Sequence, residues 1–291
     1  MQQGKNKKKI RPSKSQRNQP GLEFKLEPKP EFDRNKLKYR LFNKIAYITG
    51  GDIGIGRAVA LAFAQEGCDI EIVCYNEYKD AKKIKMEIEN EGRKCLIISG
   101  DITDKMFCKK SINKVRKYFG GLDIVVNNAA VQFPQKSIQQ ISKKQLFQTF
   151  ETNIFSYFYI IKASLKFLKE GSVIINTTSV TAYRGSPELI DYSVTKGAIV
   201  SFTRSLTSSL IDKKIRVNAI APGPVWTPLI PASFESQKVS TFGSDSPIER
   251  AAQPEEIAPS YVFLASNDSS FITGQILHPN GGRDCKWVIS E

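Results

Sequence analysis

Tyr192 and Lys196 stand four residues apart, and on a helix that spacing puts a phenol and an ammonium on one face. A phenol can pass a proton to or from an alcohol oxygen, but its ordinary pKa of about 10 is too high for a base at neutral pH. A neighbouring cation favours the phenolate, and lowering the pKa by about 3 units takes roughly 4 kcal/mol of differential interaction. The spacing alone proves little, because Tyr75/Lys79 and Tyr78/Lys82 repeat it. An ordinary surface pair suffices for those two. Tyr192/Lys196 differs in following an apolar run that leads to a serine, Ser179, 13 residues upstream of the tyrosine. Imidazole, the usual proton carrier, is not expected here. The one histidine, His278, lies in a far C-terminal His-Pro-Asn-Gly-Gly stretch, and a multi-histidine metal site is excluded outright.

A second feature is Thr49-Gly50-Gly51-Asp52-Ile53-Gly54-Ile55-Gly56-Arg57, immediately after an apolar run. Glycines at a strand-to-helix turn let the backbone approach a phosphate, and the helix start adds N–H donors and a positive dipole. The phosphate-loop pattern fails because Arg57-Ala58 replaces its lysine and hydroxyl residue. The GxGxxG pattern fails because Val59 stands at the third glycine. Glycine at 50, 54 and 56 fits TGxxxGxG, which by itself marks either a nucleotide site or a tight turn.

These residues need elements to hold them. Apolar runs recur at 45–48, 70–75, 95–98, 122–126, 172–175, 215–220 and 275–277. Segments of helical spacing lie between them at 58–64, 81–91, 107–118, 154–168 and 198–211. The alternation predicts βαβ units, hence an α/β fold with a doubly wound parallel sheet and helices on both faces. Ligands of such sheets sit at the carboxyl ends of the strands. Both features above fall there.

TGxxxGxG after the first run, Asn127-Asn128-Ala129 after the fourth and Tyr192-xxx-Lys196 after the fifth together resemble the classical short-chain dehydrogenases/reductases, over about residues 40–282. Ser179-Val-Thr-Ala-Tyr, Pro222-Gly-Pro-Val-Trp-Thr-Pro228 and the N-terminal arm are similar to a bacterial glucose/ribitol dehydrogenase-like, general-stress subgroup. The resemblance implies a Rossmann fold with a seven-stranded parallel sheet, commonly assembled as a homotetramer. It implies hydride transfer between NAD or NADP and the CH–OH group of an alcohol or sugar, or the matching carbonyl. Tyr192 would exchange the substrate hydroxyl proton, Ser179 would steady the substrate oxygen, and Lys196 would also bind the nicotinamide ribose. Asn153 matches the fourth catalytic residue, which holds a water in the proton relay; the plain alternative is a helix N-cap before Ile154.

The cofactor would lie along Gly50, Asp52, Ile53, Gly54, Ile55 and Gly56, then Tyr75, Asp101 and Ile102, then Asn128, Ala129 and Ala130. Beyond these come Tyr192, Lys196, Pro222, Gly223, Val225 and Thr227, and no metal is expected. Asp101 matches the residue that meets the adenine amino group, with a helix cap as its alternative. Two departures stand out. Ala130 replaces the glycine common after Asn-Asn-Ala, adding a methyl near the ribose. Cys74, Tyr75 and Asn76 close the second run, with no carboxylate for the ribose hydroxyls and no arginine for a 2′-phosphate. Asp52 stands where NADP enzymes often carry a base, and its charge should repel a phosphate, although Arg57 could partly compensate. NAD is therefore favoured over NADP. A non-catalytic dinucleotide sensor or partner-binding protein on the same fold is the alternative.

Composition sets the outer bounds. With 41% apolar and 25% charged residues, 291 residues hold ample core material, and no apolar run approaches a membrane span. Five cysteines without a CxxC pair argue against a disulfide framework or zinc ribbon and for reduced thiols in a cytoplasmic protein. Residues 1–40 hold 13 Lys/Arg and 4 Asp/Glu, much of the net charge of +14. They read as a basic tail and extended arm, dispensable for turnover over 1–20, with the Rossmann domain at 41–291. The body lacks aromatic-basic interleaving, so nucleic acid is not an expected partner.

Overall fold

The computed structural model describes residues 39–76 and 78–282, so most of the arm assigned to 1–40 lies outside the described residues, as does Cys285. Seven strands form, β1 (Ile45–Thr49), β2 (Asp69–Cys74), β3 (Cys95–Ser99), β4 (Ile124–Asn127), β5 (Val173–Thr177), β6 (Arg216–Ile220) and β7 (Ile276–Leu277). All pair in parallel, in the order β3-β2-β1-β4-β5-β6-β7. This is the doubly wound seven-stranded sheet expected from the sequence. Each strand falls within two residues of its apolar run, because strands covered on both faces must be apolar on both.

The major helices are α1 (Gly54–Gln65), α2 (Tyr78–Asn90), α3 (Lys105–Phe119), α4 (Lys143–Phe150), α5 (Ser156–Ser164), α6 (Thr181–Arg184), α7 (Ile190–Leu210), α8 (Leu229–Ser233), α9 (Ser236–Ser240) and α10 (Pro254–Ala265). Strand alternation divides the core between them. On β1, Ala46 and Ile48 face a cluster built with α1, α2 and α10. Tyr47 between them faces the cluster beneath α3, α5 and α7.

Two helices differ from the expectation. The segment read as 154–168 begins at Lys143 and runs through a π turn at Glu151–Phe155 into α5. α10 carries Pro254 in its first turn and Pro259 inside, and burial of Ile257, Ala258, Tyr261, Val262, Leu264 and Ala265 leaves little polar face for a periodic pattern. Among the described residues, no helix is long and apolar enough to cross a membrane, and no cluster of three metal-ligating side chains forms.

Candidate active site

The sheet order reverses between β1 and β4, and a cleft of about 1250 Å³ opens at the strand ends there. β1 delivers the glycine turn. Gly50 takes φ +60°, a left-handed conformation that other residues adopt only with strain. At Gly56 a Cβ would lie 1.9 Å from the Gly50 carbonyl oxygen, so only glycine lets α1 start so close to the turn. Ile53, at the N-cap of α1, makes no side-chain cap, and the first turn carries no acid. A helix start of this kind suits an anion. Asn128 supports the turn from β4: its Nδ2 donates to the carbonyls of Thr49 (3.1 Å) and Gly50 (3.3 Å), and its backbone N–H donates to Thr49 Oγ1 (2.9 Å).

The proposed cofactor residues from Gly50 to Thr227 line this one cleft, with Gly56 behind the turn rather than on its surface. Asp52 is 1% exposed. Arg57 is not among the cleft-lining residues; its guanidinium donates to Glu87 Oε1 at 2.6 Å. Asp101 caps no helix. It accepts from the Thr103 backbone N–H and hydroxyl, both at 2.8 Å, and Asp104 caps α3 instead.

At the other end of the cleft β5 and α7 bring together Ser179, Tyr192 and Lys196, all buried. Lys196 Nζ donates to the Thr177 carbonyl at 2.8 Å and lies 5.3 Å from the Tyr192 ring centre. Ser179 Oγ accepts from the Thr181 N–H and hydroxyl, each at 3.2 Å, which leaves its own proton to point elsewhere. Burial pushes the Tyr192 phenol up to about 12, and the Ser179 hydroxyl pulls the other way. Burial brings the Lys196 ammonium down to about 7. In the protein alone, burial thus acts against the ionised form of both groups, the phenolate and the ammonium.

Asn153 neither caps a helix nor lines the cleft. It sits inside the π turn, its Oδ1 accepting from Val131 N–H (2.9 Å) and its Nδ2 donating to Val131 O (2.9 Å) and Thr195 Oγ1 (3.2 Å). Its side-chain amide is thus committed to protein groups, and it braces the cleft wall at Val131. His278 packs edge-on against Tyr183, 4.6 Å between ring centres, and is not among the cleft-lining residues. Sequence reasoning missed part of the wall opposite the catalytic set. Gln132, Gln148 and Glu188 line it, and Glu188 pairs with Lys238 of α9.

A doubly wound sheet with a glycine turn at its switch point and a buried Ser-Tyr-Lys set beside it defines a nicotinamide-dependent oxidoreductase class. The chain belongs to the short-chain dehydrogenase/reductase family, its residues 51–284 matching the family model described as enoyl-(acyl carrier protein) reductase. It is 51% identical over 273 residues to general stress protein 39 of Bacillus subtilis (strain 168), covering 93% of this chain and 96% of that one. It is 49% identical to an NADPH-dependent chloroplastic aldehyde reductase 1 of Arabidopsis thaliana (91% and 95% covered) and 47% identical to a glucose and ribitol dehydrogenase of Daucus carota (93% and 96%). Among solved structures, a short chain dehydrogenase from Burkholderia cenocepacia J2315 in complex with NADP superposes with a TM-score of 0.79. It shares 28% identity over 84% of this chain and 99% of that one.

Proposed function

We propose that this protein moves a hydride between NAD(H) or NADP(H) and the CH–OH carbon of a small alcohol or sugar, or the matching carbonyl. The observation that carries the reading is the meeting of Ser179, Tyr192 and Lys196 with the glycine turn in one cleft. The dinucleotide fits the residues present. The uncapped α1 start would take the pyrophosphate, Asp101 and Ile102 would flank the adenine, and Lys196 and Thr227 would meet the nicotinamide half. Bound there, it would accept or supply the hydride.

The chain's own residues handle the proton. With its pKa raised, Tyr192 is a neutral phenol near pH 7, the form that protonates a carbonyl oxygen during reduction. Ser179, its acceptor sites occupied by Thr181, donates to the same oxygen and steadies the charge that develops there. Lys196 spends one N–H on Thr177, and its others would serve the ribose hydroxyls and the phenol. A panel of alcohols, polyols, sugars and carbonyl compounds, followed at the nicotinamide absorbance with both dinucleotides, tests the reading. Tight dinucleotide binding without turnover of any member would favour the sensor alternative.

For the cofactor we keep NAD ahead of NADP. Asp52 places a buried carboxyl beside the turn, Arg57 is paired with Glu87, and Cys74 and Tyr75 add no cation. The NADPH named for the aldehyde reductase and the NADP in the Burkholderia structure weigh the other way. Calorimetric titration with both dinucleotides decides: NAD(H) should bind more tightly, and Asp52→Asn should lower the preference at least fivefold. Tighter NADP(H) binding by the parent protein would reverse the assignment.

We propose a homotetramer as well, with residues 1–40 an arm outside the catalytic domain and the cytoplasm as its place. Phe155 and Phe158 remain 38% and 44% exposed on the helix beside α7, and the Phe158 ring meets that of Phe202 at 4.5 Å, tilted by 51°. Tyr157, between them in sequence, is fully buried and donates to the Thr177 carbonyl, so it belongs to the core. Light scattering should return a mass of at least twice 32.6 kDa; a concentration-independent 32.6 kDa species would refute the assembly.

A further inference from the structure

The first turn of α7 carries a buried carboxylate that the chemistry above does not use. Asp191 is 3% exposed, and its hydrogen-bond partners among the described residues are neutral donors. Its Oδ1 accepts from the backbone N–H of Tyr192 at 2.9 Å. That N–H belongs to the helix start, where no intrahelical acceptor exists, and Leu189 at the N-cap provides no side-chain cap. Its Oδ2 accepts from Gln145 Nε2 at 3.0 Å and lies 2.8 Å from Thr149 Oγ1, whose one proton it shares with the Gln145 carbonyl at 2.9 Å; both residues are on α4. The second proton of Gln145 Nε2 goes to the Phe133 carbonyl at 3.0 Å, and its Oε1 accepts from Gln135 Nε2 at 2.7 Å. One carboxylate therefore ties the backbone of Tyr192 to α4, whose C-terminal end and the turn after it supply Gln148, Glu151 and Thr152 to the cleft.

We propose that Asp191 is a positioning residue: it fixes the first turn of α7, and with it the Tyr192 phenol, against the substrate-side wall. The proposal rests on the reading of Tyr192 as the proton carrier. A carboxylate suits the site because the Tyr192 N–H and the Gln145 Nε2, which can only donate, meet opposite oxygens, with the Thr149 hydroxyl beside the second. An amide of the same shape would turn an N–H toward either the Tyr192 N–H or the α4 donors. A buried donor left facing a donor forces the turn to shift, and displacement of a reacting group by about 1 Å costs on the order of a hundredfold in rate.

The test compares Asp191→Asn, Thr149→Val and Thr149→Ser with the parent full-length protein. Asp191→Asn should lower kcat at least tenfold, with substrate KM within threefold and dinucleotide Kd within twofold. Hydrogen exchange over residues 189–195 should accelerate in the same variant. Thr149→Val, which removes one donor and retains the bulk, should fall between, and Thr149→Ser should behave as the parent. If Asp191→Asn does not fold, the Val/Ser pair at 149 carries the same comparison. A kcat within twofold of the parent overturns the proposal, as does a loss shared equally by kcat, dinucleotide affinity and thermal stability. Should the parent turn over no alcohol, sugar or carbonyl compound, the functional reading fails separately. Exchange at 189–195 then decides alone, and unchanged protection there overturns the positioning role.

Discussion

Tyr192→Phe is expected to lower turnover by at least two orders of magnitude while dinucleotide affinity stays within about twofold. The substitution deletes one oxygen and keeps the ring, so the buried volume beside Lys196 is preserved. What disappears is the group that passes a proton to the substrate oxygen as the carbon gains hydride, and general acid–base catalysis contributes typically 10²–10⁴-fold. His278 is held against Tyr183 away from the cleft, and the Ser179 hydroxyl would need a base of its own. Stopped-flow or steady-state rates on any substrate of the parent check this. Rates within a few-fold would mean that the proton travels by another route.

The sheet and the reacting side chains were legible because each leaves a local mark. Fully covered strands read as apolar runs; the glycine turn follows the first directly, and Ser179 and then Tyr192/Lys196 follow the fifth. Partnerships between distant segments leave no such mark. Arg57 looked available to a phosphate until Glu87, 30 residues on, was seen to hold it. For Asn153, matched to the fourth catalytic residue with an N-cap as the alternative, nothing nearby in sequence announces that Val131 and Thr195 take its amide, or that its helix widens there into a π turn. Glu71 shows the limit most sharply. It sits inside the second apolar run, wholly buried, and burial drives its carboxyl well above the usual range. The electrostatics of Tyr192 and Lys196 were hidden for the same reason: spacing reports who faces whom, whereas burial decides how much charge each can carry.

Lys196 carries the consequence of that burial, and replacing it should separate stability from function. Its folded pKa of about 7 lies below the roughly 10.4 of an unfolded lysine. The unfolded chain therefore binds more protons between those two values, so stability from this group rises with pH across that window. At pH 6 to 7 the penalty is nearly complete, on the order of 4 kcal/mol. Lys196→Met removes the charge and keeps the length. The hydrogen bond to Thr177 is lost, at about 1 kcal/mol, but that carbonyl still accepts from Tyr157 at 3.2 Å. The variant should melt several degrees above the parent at pH 6.5, with the gain largely gone by pH 9.5, in calorimetry at one protein concentration. Its turnover should fall at least a hundredfold and its dinucleotide affinity about tenfold, since the ammonium serves both phenol and ribose. Lys196→Ala should impair the same two functions without the stability gain, because it leaves a cavity. A methionine variant less stable than the parent at pH 6.5 would mean that the ammonium is solvated or paired in the folded protein. The low pKa, and the tension between holding this charge and using it, would then both be wrong.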